Sequence, residues 1–181
     1  MGWRDIEYIA YEYQDERLEA VIQCVEKTHV NGGVILRCLR PTNIAEFEKA
    51  NSKNLQGVDH QLRSFLEAKT VRLSLPELNI PYPLFELPTP LNYGSYEFEG
   101  GITQLLLQGG AYIRSSVTED AARSLARAFI DAMIRDRRYA SIYRIFGAWT
   151  DWFHNVAWDL TYIVKDVGGK QWWIFCVTDT D

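Results

Sequence analysis

Residues 156–179 read VAWDLTYIVKDVGGKQWWIFCVTD, and their pattern decides the fold. Gly168-Gly169 is a two-residue turn signal between two runs rich in β-formers. Setting Val167 opposite Lys170 and counting back pairs Val164 with Trp173, Tyr162 with Phe175, and Leu160 with Val177. Trp158 then faces Asp179. One face of the hairpin is therefore apolar. Ile163 with Ile174, Thr161 with Cys176, and Asp159 with Thr178 occupy the other, mixed face. It is expected to be partly covered or to line a cleft, and Lys165 on it is expected to be exposed. A slip of one residue would exchange the two faces, so the register supports antiparallel strands over 156–166 and 171–179.

Upstream of the hairpin the signals alternate irregularly. Residues 5–13 read as a strand or an extended entry. Leu18, Val21, Ile22 and Val25 give a helix over 15–28, with Asp15 as N-cap and Asn31-Gly32-Gly33 as its stop. VILRCL at 34–39 reads as a buried strand ended by Pro41. Asn43 and Glu46 have capping-box spacing for a helix over 44–51, and a helix over 58–68 would bury Leu62, Phe65 and Leu66. TVRLSL at 70–75 alternates, which predicts a strand. Residues 96–107 and 111–115 read as two strands joined at Gln108-Gly109-Gly110, with Gly100-Gly101 as a bulge. The strongest helix starts after Ser116, with Glu119 at capping spacing, and ends near Arg135–Arg138. Residues 139–149 have helical spacing and are read as a short helix. Two hairpins among scattered helices predict an α+β fold, a mainly antiparallel sheet with several helices packed on it, ending in a C-terminal β-hairpin.

Five of the six prolines fall in PELNIPYPLFELPTPLNYGS, residues 76–95. Proline resists helix interiors and central strands. The segment also carries Leu78, Ile80, Leu84, Phe85 and Leu87, too many apolar residues for a solvated linker. It reads as an ordered loop wrapped on the core, so the whole of 1–181 is expected to be a single globular domain. At 181 residues and 47% hydrophobic composition the chain can build a core without staples.

The charge balance is −5, and the densest basic run, Arg135, Arg137 and Arg138, closes a helix where cations meet the dipole. No concentrated positive surface emerges, so no nucleic-acid partner is expected. Three cysteines, Cys24, Cys38 and Cys176, lack any CxxC and fit reduced thiols in a cytoplasmic protein. The acidic opening residues lack a signal peptide's apolar segment, and no apolar run approaches a membrane span, so no membrane is expected either.

No phosphate loop, GxSxG or HExxH is present. No cofactor is implied, and whether the chain is an enzyme is open. The residues with the most chemistry lie around the hairpin: Asp151, His154 and Asp159 as acid–base candidates, and Trp149, Trp152, Trp158 and Thr161 as binding candidates. Asp179 and Asp181 offer oxygen ligands for a divalent cation, although acidic residues at a chain end are ordinarily solvated. Cys176 with His154 has the elements of a thiol nucleophile and base, but a cysteine inside WWIFCV reads as an inert core residue. His29 and His60 carry no ligand spacing.

The small size, acidity and aromatic-rich α+β character are similar in style to bacterial toxin-neutralising immunity proteins, a likeness of composition carried by no motif. Together with 24 aromatic residues, they lead to the expectation of a non-enzymatic protein-binding module. It would be immunity-type or regulatory, and would act by occluding a partner or by self-association. A small-molecule site or enzyme at the C-terminal hairpin is the alternative.

Overall fold

A computed structural model describes residues 2–52 and 57–180. Its centre is the C-terminal hairpin, β5 (Leu160–Asp166) and β6 (Gln171–Thr178). The pairs Val164–Trp173, Tyr162–Phe175, Leu160–Val177, Ile163–Ile174 and Thr161–Cys176 all form in the register that the glycine pair implies. Ladder pairing stops at Asp166–Gln171, and β5 begins at Leu160 rather than at 156. Gly168-Gly169 lie at the centre of the turn, which the Lys170 N–H closes on the Val167 carbonyl at 3.3 Å. A Cβ at Gly169 would run into the Asp166 carboxylate, which would have to shift.

Around the hairpin runs a six-stranded sheet in the order β1-β2-β6-β5-β4-β3, antiparallel throughout. Its other strands are β1 (Tyr8–Tyr11), β2 (Gly33–Pro41), β3 (Leu91–Tyr93) and β4 (Ala140–Phe146). Among the described residues six α-helices cover it: α1 (Glu16–Glu26), α2 (Ile44–Ser52), α3 (Val58–Leu66), α4 (Lys69–Ser74), α5 (Ser95–Gln108) and α6 (Glu119–Met133). The fold class is α+β. No helix among the described residues is long and apolar enough to cross a membrane.

Each face of the sheet carries its own core. On the first face Ile163, Trp172, Ile174 and Cys176 meet α2, α3, α4 and the proline-rich loop. On the second, Tyr162, Val164, Trp173, Phe175 and Val177 meet α1, α5 and α6. The side of the hairpin expected to be mixed and partly open is thus fully covered. Lys165 is only 3% exposed, with Nζ 5.4 Å from the Trp3 ring and 5.8 Å from the Trp172 ring. The expectation of an exposed lysine was wrong: it came from reading a two-sided buried strand as one-sided.

Three segments differ from their sequence reading. Residues 69–74 form a helix, not a strand. Val71 and Leu75, four apart, are buried while Leu73 faces out, so the apparent alternation was half of a helical stripe. Residues 95–108 form α5 instead of a strand, burying Phe98, Ile102 and Leu106 at intervals of four. Gly101 is the point where α5 meets the Tyr162 hydroxyl, which leaves no room for a Cβ. Gln108-Gly109-Gly110 stops the helix, Gly109 taking φ +74°, and 111–115 form no regular element. Residues 140–146 are strand β4, where β-propensity outweighs the helical spacing. The α6 cap also shifts by two residues, to Thr118, whose hydroxyl accepts from the Ala121 N–H.

The proline-rich segment packs on the first core through Leu78, Ile80, Leu84 and Leu87. It is tied there by polar contacts. Glu67 accepts from the Leu84 N–H at 2.9 Å and pairs with Arg4, and Arg63 donates to the Leu84 carbonyl.

Candidate functional site

β4 places Arg144 on the second face of the sheet, in one lateral row with Tyr162, Phe175 and Leu36. Its neighbours in the row are core residues, but Arg144 lies near the sheet edge and is half-buried. Its guanidinium carbon lies 4.1 Å from the Phe146 ring centre, 5.5 Å from Tyr162 and 5.6 Å from Tyr93. Nη1 donates to the Tyr93 hydroxyl at 3.3 Å. No carboxylate among the described residues pairs with it. A cation over ring faces is favourable, yet rings do not replace a counter-ion.

Beside Arg144 opens a cavity of about 240 Å³. Its floor is the edge of the sheet at Arg144, Phe146 and Leu160. Its roof is the second half of α5, where Gly101, Gln104, Leu105 and Gln108 form a helical i, i+3, i+4, i+7 stripe. The segment Ala157-Trp158-Asp159, leading into β5, closes one side. The Trp158 indole Nε1 is buried here without a hydrogen-bond partner, and the Tyr162 hydroxyl under Gly101 lies beside the Arg144 guanidinium, which acts on it by hydrogen bond and by charge. Unpaired buried polar atoms are uncommon and call for a physical reason. Burial pushes the Tyr162 hydroxyl up to about 12, against the pull of the Arg144 charge, so it stays a neutral donor near neutral pH.

Asp159 borders the same cavity, but its carboxylate turns to Thr178 on the first face of the sheet, opposite Arg144. Its carboxylate accepts from the Thr178 hydroxyl at 2.7 Å and from the Val156 N–H at 3.0 Å. These bonds fix its orientation and extend the hairpin pairing by one step beyond the ladder. Asp159 makes no ion pair with Arg144 or any other described cation. Trp158, expected as a binding residue, also lines this cavity.

The remaining candidates are dispersed. Asp151 and His154 are exposed and line a separate depression with Asn31, Glu77 and Trp152. Thr178, whose hydroxyl bonds the Asp159 carboxylate, lines the same depression, while Asp159 borders the cavity at Arg144. Trp149 and Thr161 are interior: the Trp149 indole donates to Thr161 Oγ1 at 2.9 Å, and that hydroxyl lies 3.7 Å from Cys176 Sγ. Trp149 also borders a wider hollow beneath Pro81, Pro83 and Phe85. Burial raises the Cys176 thiol to about 12, which leaves it inert.

Asp179 is buried and structural. It accepts from the Asn31 N–H at 3.0 Å and the Ala111 N–H at 2.7 Å, pinning two loops to the end of β6. Asp181 lies outside the described residues. Among the described residues no three His, Cys, Asp or Glu side chains are grouped to hold a metal ion.

A larger hollow, about 770 Å³, lies between α5 and α6. It is a wide surface groove whose charges are already paired: Glu99 with Arg137 at 2.6 Å, Glu99 with Arg127 at 3.7 Å, and Glu119 with Arg123. Size favours it, but unmet charge and enclosure favour the cavity at Arg144.

Sequence reasoning missed Arg144, Gln104 and Gln108. Arg144 is a lone cation in SIYRIF, and a strand reading would have put it on one face with Ile142 and Phe146. Reading 96–107 as a strand likewise hid the Gln104–Gln108 stripe. The chain matches no protein-family model, no curated protein and no solved structure.

Proposed function

We propose that this protein binds a small polar molecule in the cavity formed by Arg144, Trp158 and Asp159. The observation that carries the reading is a guanidinium with no counter-ion among the described residues, beside the unpaired indole N–H of Trp158, lining one cavity. A partly buried charge without a counter-ion is unfavourable, and an anionic ligand group that engages the guanidinium removes that penalty. Apolar walls with a few convergent polar groups are the usual make-up of a ligand site. Binding is favoured over turnover because, among the described residues, Arg144 and Asp159 are the only ionisable groups lining the cavity, with no histidine, cysteine, serine or lysine beside them.

A ligand-observed NMR screen of a fragment library tests this, run on the wild type and on Arg144→Gln. The expected result is a set of fragments whose affinity falls about tenfold in the variant, the effect of losing roughly 1.4 kcal/mol. Hits that bind both proteins equally, or an absence of hits, would contradict it.

A second reading retains the protein-binding module that acts by occlusion. Phe85 is 79% exposed, beside exposed Tyr82, on a loop stiffened by prolines and tied to the core. Rigid exposed aromatics suit an interface. Sedimentation over a concentration series tests self-association through this loop. A rise in mass that Phe85→Ser abolishes supports it, and a constant monomer mass contradicts it.

A further inference from the structure

We infer that the ligand of the Arg144 cavity is a small monocarboxylate with a flat apolar or aromatic body. The inference rests on the binding reading above and adds the ligand's chemistry. It uses groups on the second face of the sheet. Arg144 pairs with Tyr162 across β4 and β5, and Phe146 pairs with Leu160, so these side chains share that face and lie beneath α5. Trp158, two positions before Leu160, lines the same cavity, and its indole N–H is buried without a partner.

The neighbours of the Arg144 guanidinium are neutral. The Tyr93 hydroxyl accepts from it at 3.3 Å, the Tyr162 hydroxyl lies beside it, and the Phe146 ring covers it at 4.1 Å. These contacts hold the group in place without neutralising it. A guanidinium carries about five N–H donors, so two hydroxyls leave donors for a ligand. A planar carboxylate matches that fork with two parallel hydrogen bonds. The Trp158 N–H can only donate, so it too calls for an acceptor on the ligand. Among the described residues Arg144 is the one cation lining the cavity, which meets one negative charge. A phosphate monoester would bring nearly two. Its second charge would find only neutral donors, with Asp159 at the border as a like charge.

The remaining walls assign the body of the ligand. Leu105, Leu160 and the rings of Phe146 and Trp158 line the cavity, and ring walls favour a flat group that can stack on them. A volume of about 240 Å³ falls below the ~300–1,000 Å³ typical of sites for drug-sized ligands. That suits a molecule of one ring rather than a nucleotide.

Isothermal titration of the full chain with benzoate and phenylacetate tests this. Each acid is compared with its carboxamide, which keeps the shape and loses the charge, with acetate, which lacks the body, and with phenyl phosphate. The expected result is binding of at least one aromatic acid, with its amide and acetate weaker by about tenfold or more and phenyl phosphate no tighter. Arg144→Gln should erase the preference for the acid over the amide. Trp158→Phe, which keeps a ring and loses the N–H, should weaken the acid by about threefold to tenfold. Should Arg144→Gln fail to fold, the ligand series on the wild type and on Trp158→Phe still decides the matter. An amide that binds as well as its acid overturns the inference, as does phenyl phosphate binding more tightly than the acids. So does an acid-over-amide preference that survives in Arg144→Gln, or an acid affinity that Trp158→Phe leaves unchanged. If neutral fragments bind and require Arg144 while the acids do not bind, the carboxylate class falls and the binding reading stands. If no acid, phosphate or fragment binds, both fall.

Discussion

The two faces of the central sheet are built from the same strands and solve burial differently. The second face is covered by α1, α5 and α6, whose apolar stripes repeat at helical intervals, and its core is aliphatic and aromatic. The first face is covered by short helices, an N-terminal turn at Trp3–Asp5 and the proline-rich loop. There Trp172 stacks on Phe65 at 4.2 Å and meets Trp3 edge-on at 5.1 Å, and Lys165 lies over both indoles. Long helices can cover a flat sheet face with regular side chains. Short elements need large rings to fill irregular gaps, and they enclosed a lysine in doing so.

The largest expected effect separates the adjacent tryptophans. Trp172→Ala removes a stack, an edge contact and the ring under Lys165, and should cost about 5 kcal/mol. Trp173→Ala, with a single tilted contact to Tyr13, should cost about 3 kcal/mol. Denaturant midpoints of the two variants measure the difference. Equal losses would mean that the first face gains nothing from its ring packing.

Lys165 sharpens the comparison through pH. Burial lowers its value from 10.5 to about 8. Below pH 8 the lysine is charged in both folded and unfolded chains, and the burial penalty is fully present. Between about 8 and 10.5 the unfolded chain holds the extra proton, so the wild type gains stability as pH rises through that window. Lys165→Met should therefore be more stable than the wild type at pH 7, by about 1–3 kcal/mol once the indole contacts are discounted. The gap should shrink toward pH 10. Taking the difference between the two proteins at each pH cancels the other groups that titrate there, such as the Cys38 thiol, raised by burial to about 11. A gap independent of pH would show that Lys165 is not held as described.

The smallest effects come from two neighbouring glycines over the second face. Gly101→Ala meets the Tyr162 hydroxyl and should cost about 1–3 kcal/mol. Gly100→Ala points into open space and should gain about 0.5–1 kcal/mol from helix propensity. Thermal melts should move in opposite directions. A shift of the same sign in both would place α5 wrongly on the sheet.

The comparison also explains what the sequence made legible. The hairpin was readable because a glycine pair sets its count and both strands then agree on an apolar face. The fate of the opposite face was not, since strands buried on both sides lose the alternation that marks an exposed side. α5 read as a strand because its glycines mimic a bulge and a turn. Their physical reasons, a close approach to Tyr162 and a helix stop, exist only in three dimensions. For the site, Asp159 and Trp158 were legible through their place beside the hairpin. Arg144 was not, because β4 pairs with residues about twenty positions further along the chain, and only that pairing brings the cation to Asp159's cavity.

The central claim is that this cavity is where a ligand binds, and the indole N–H of Trp158 reports on it directly. The six tryptophans give six indole signals in a ¹H–¹⁵N spectrum, and a Trp158→Phe variant assigns this one. During titration with a ligand that binds the protein, the Trp158 signal should move first and furthest, while those of Trp172 and Trp173, in the two cores, stay in place. A Trp158 signal that remains still while that of Trp152, in the separate depression near His154, moves would contradict the account.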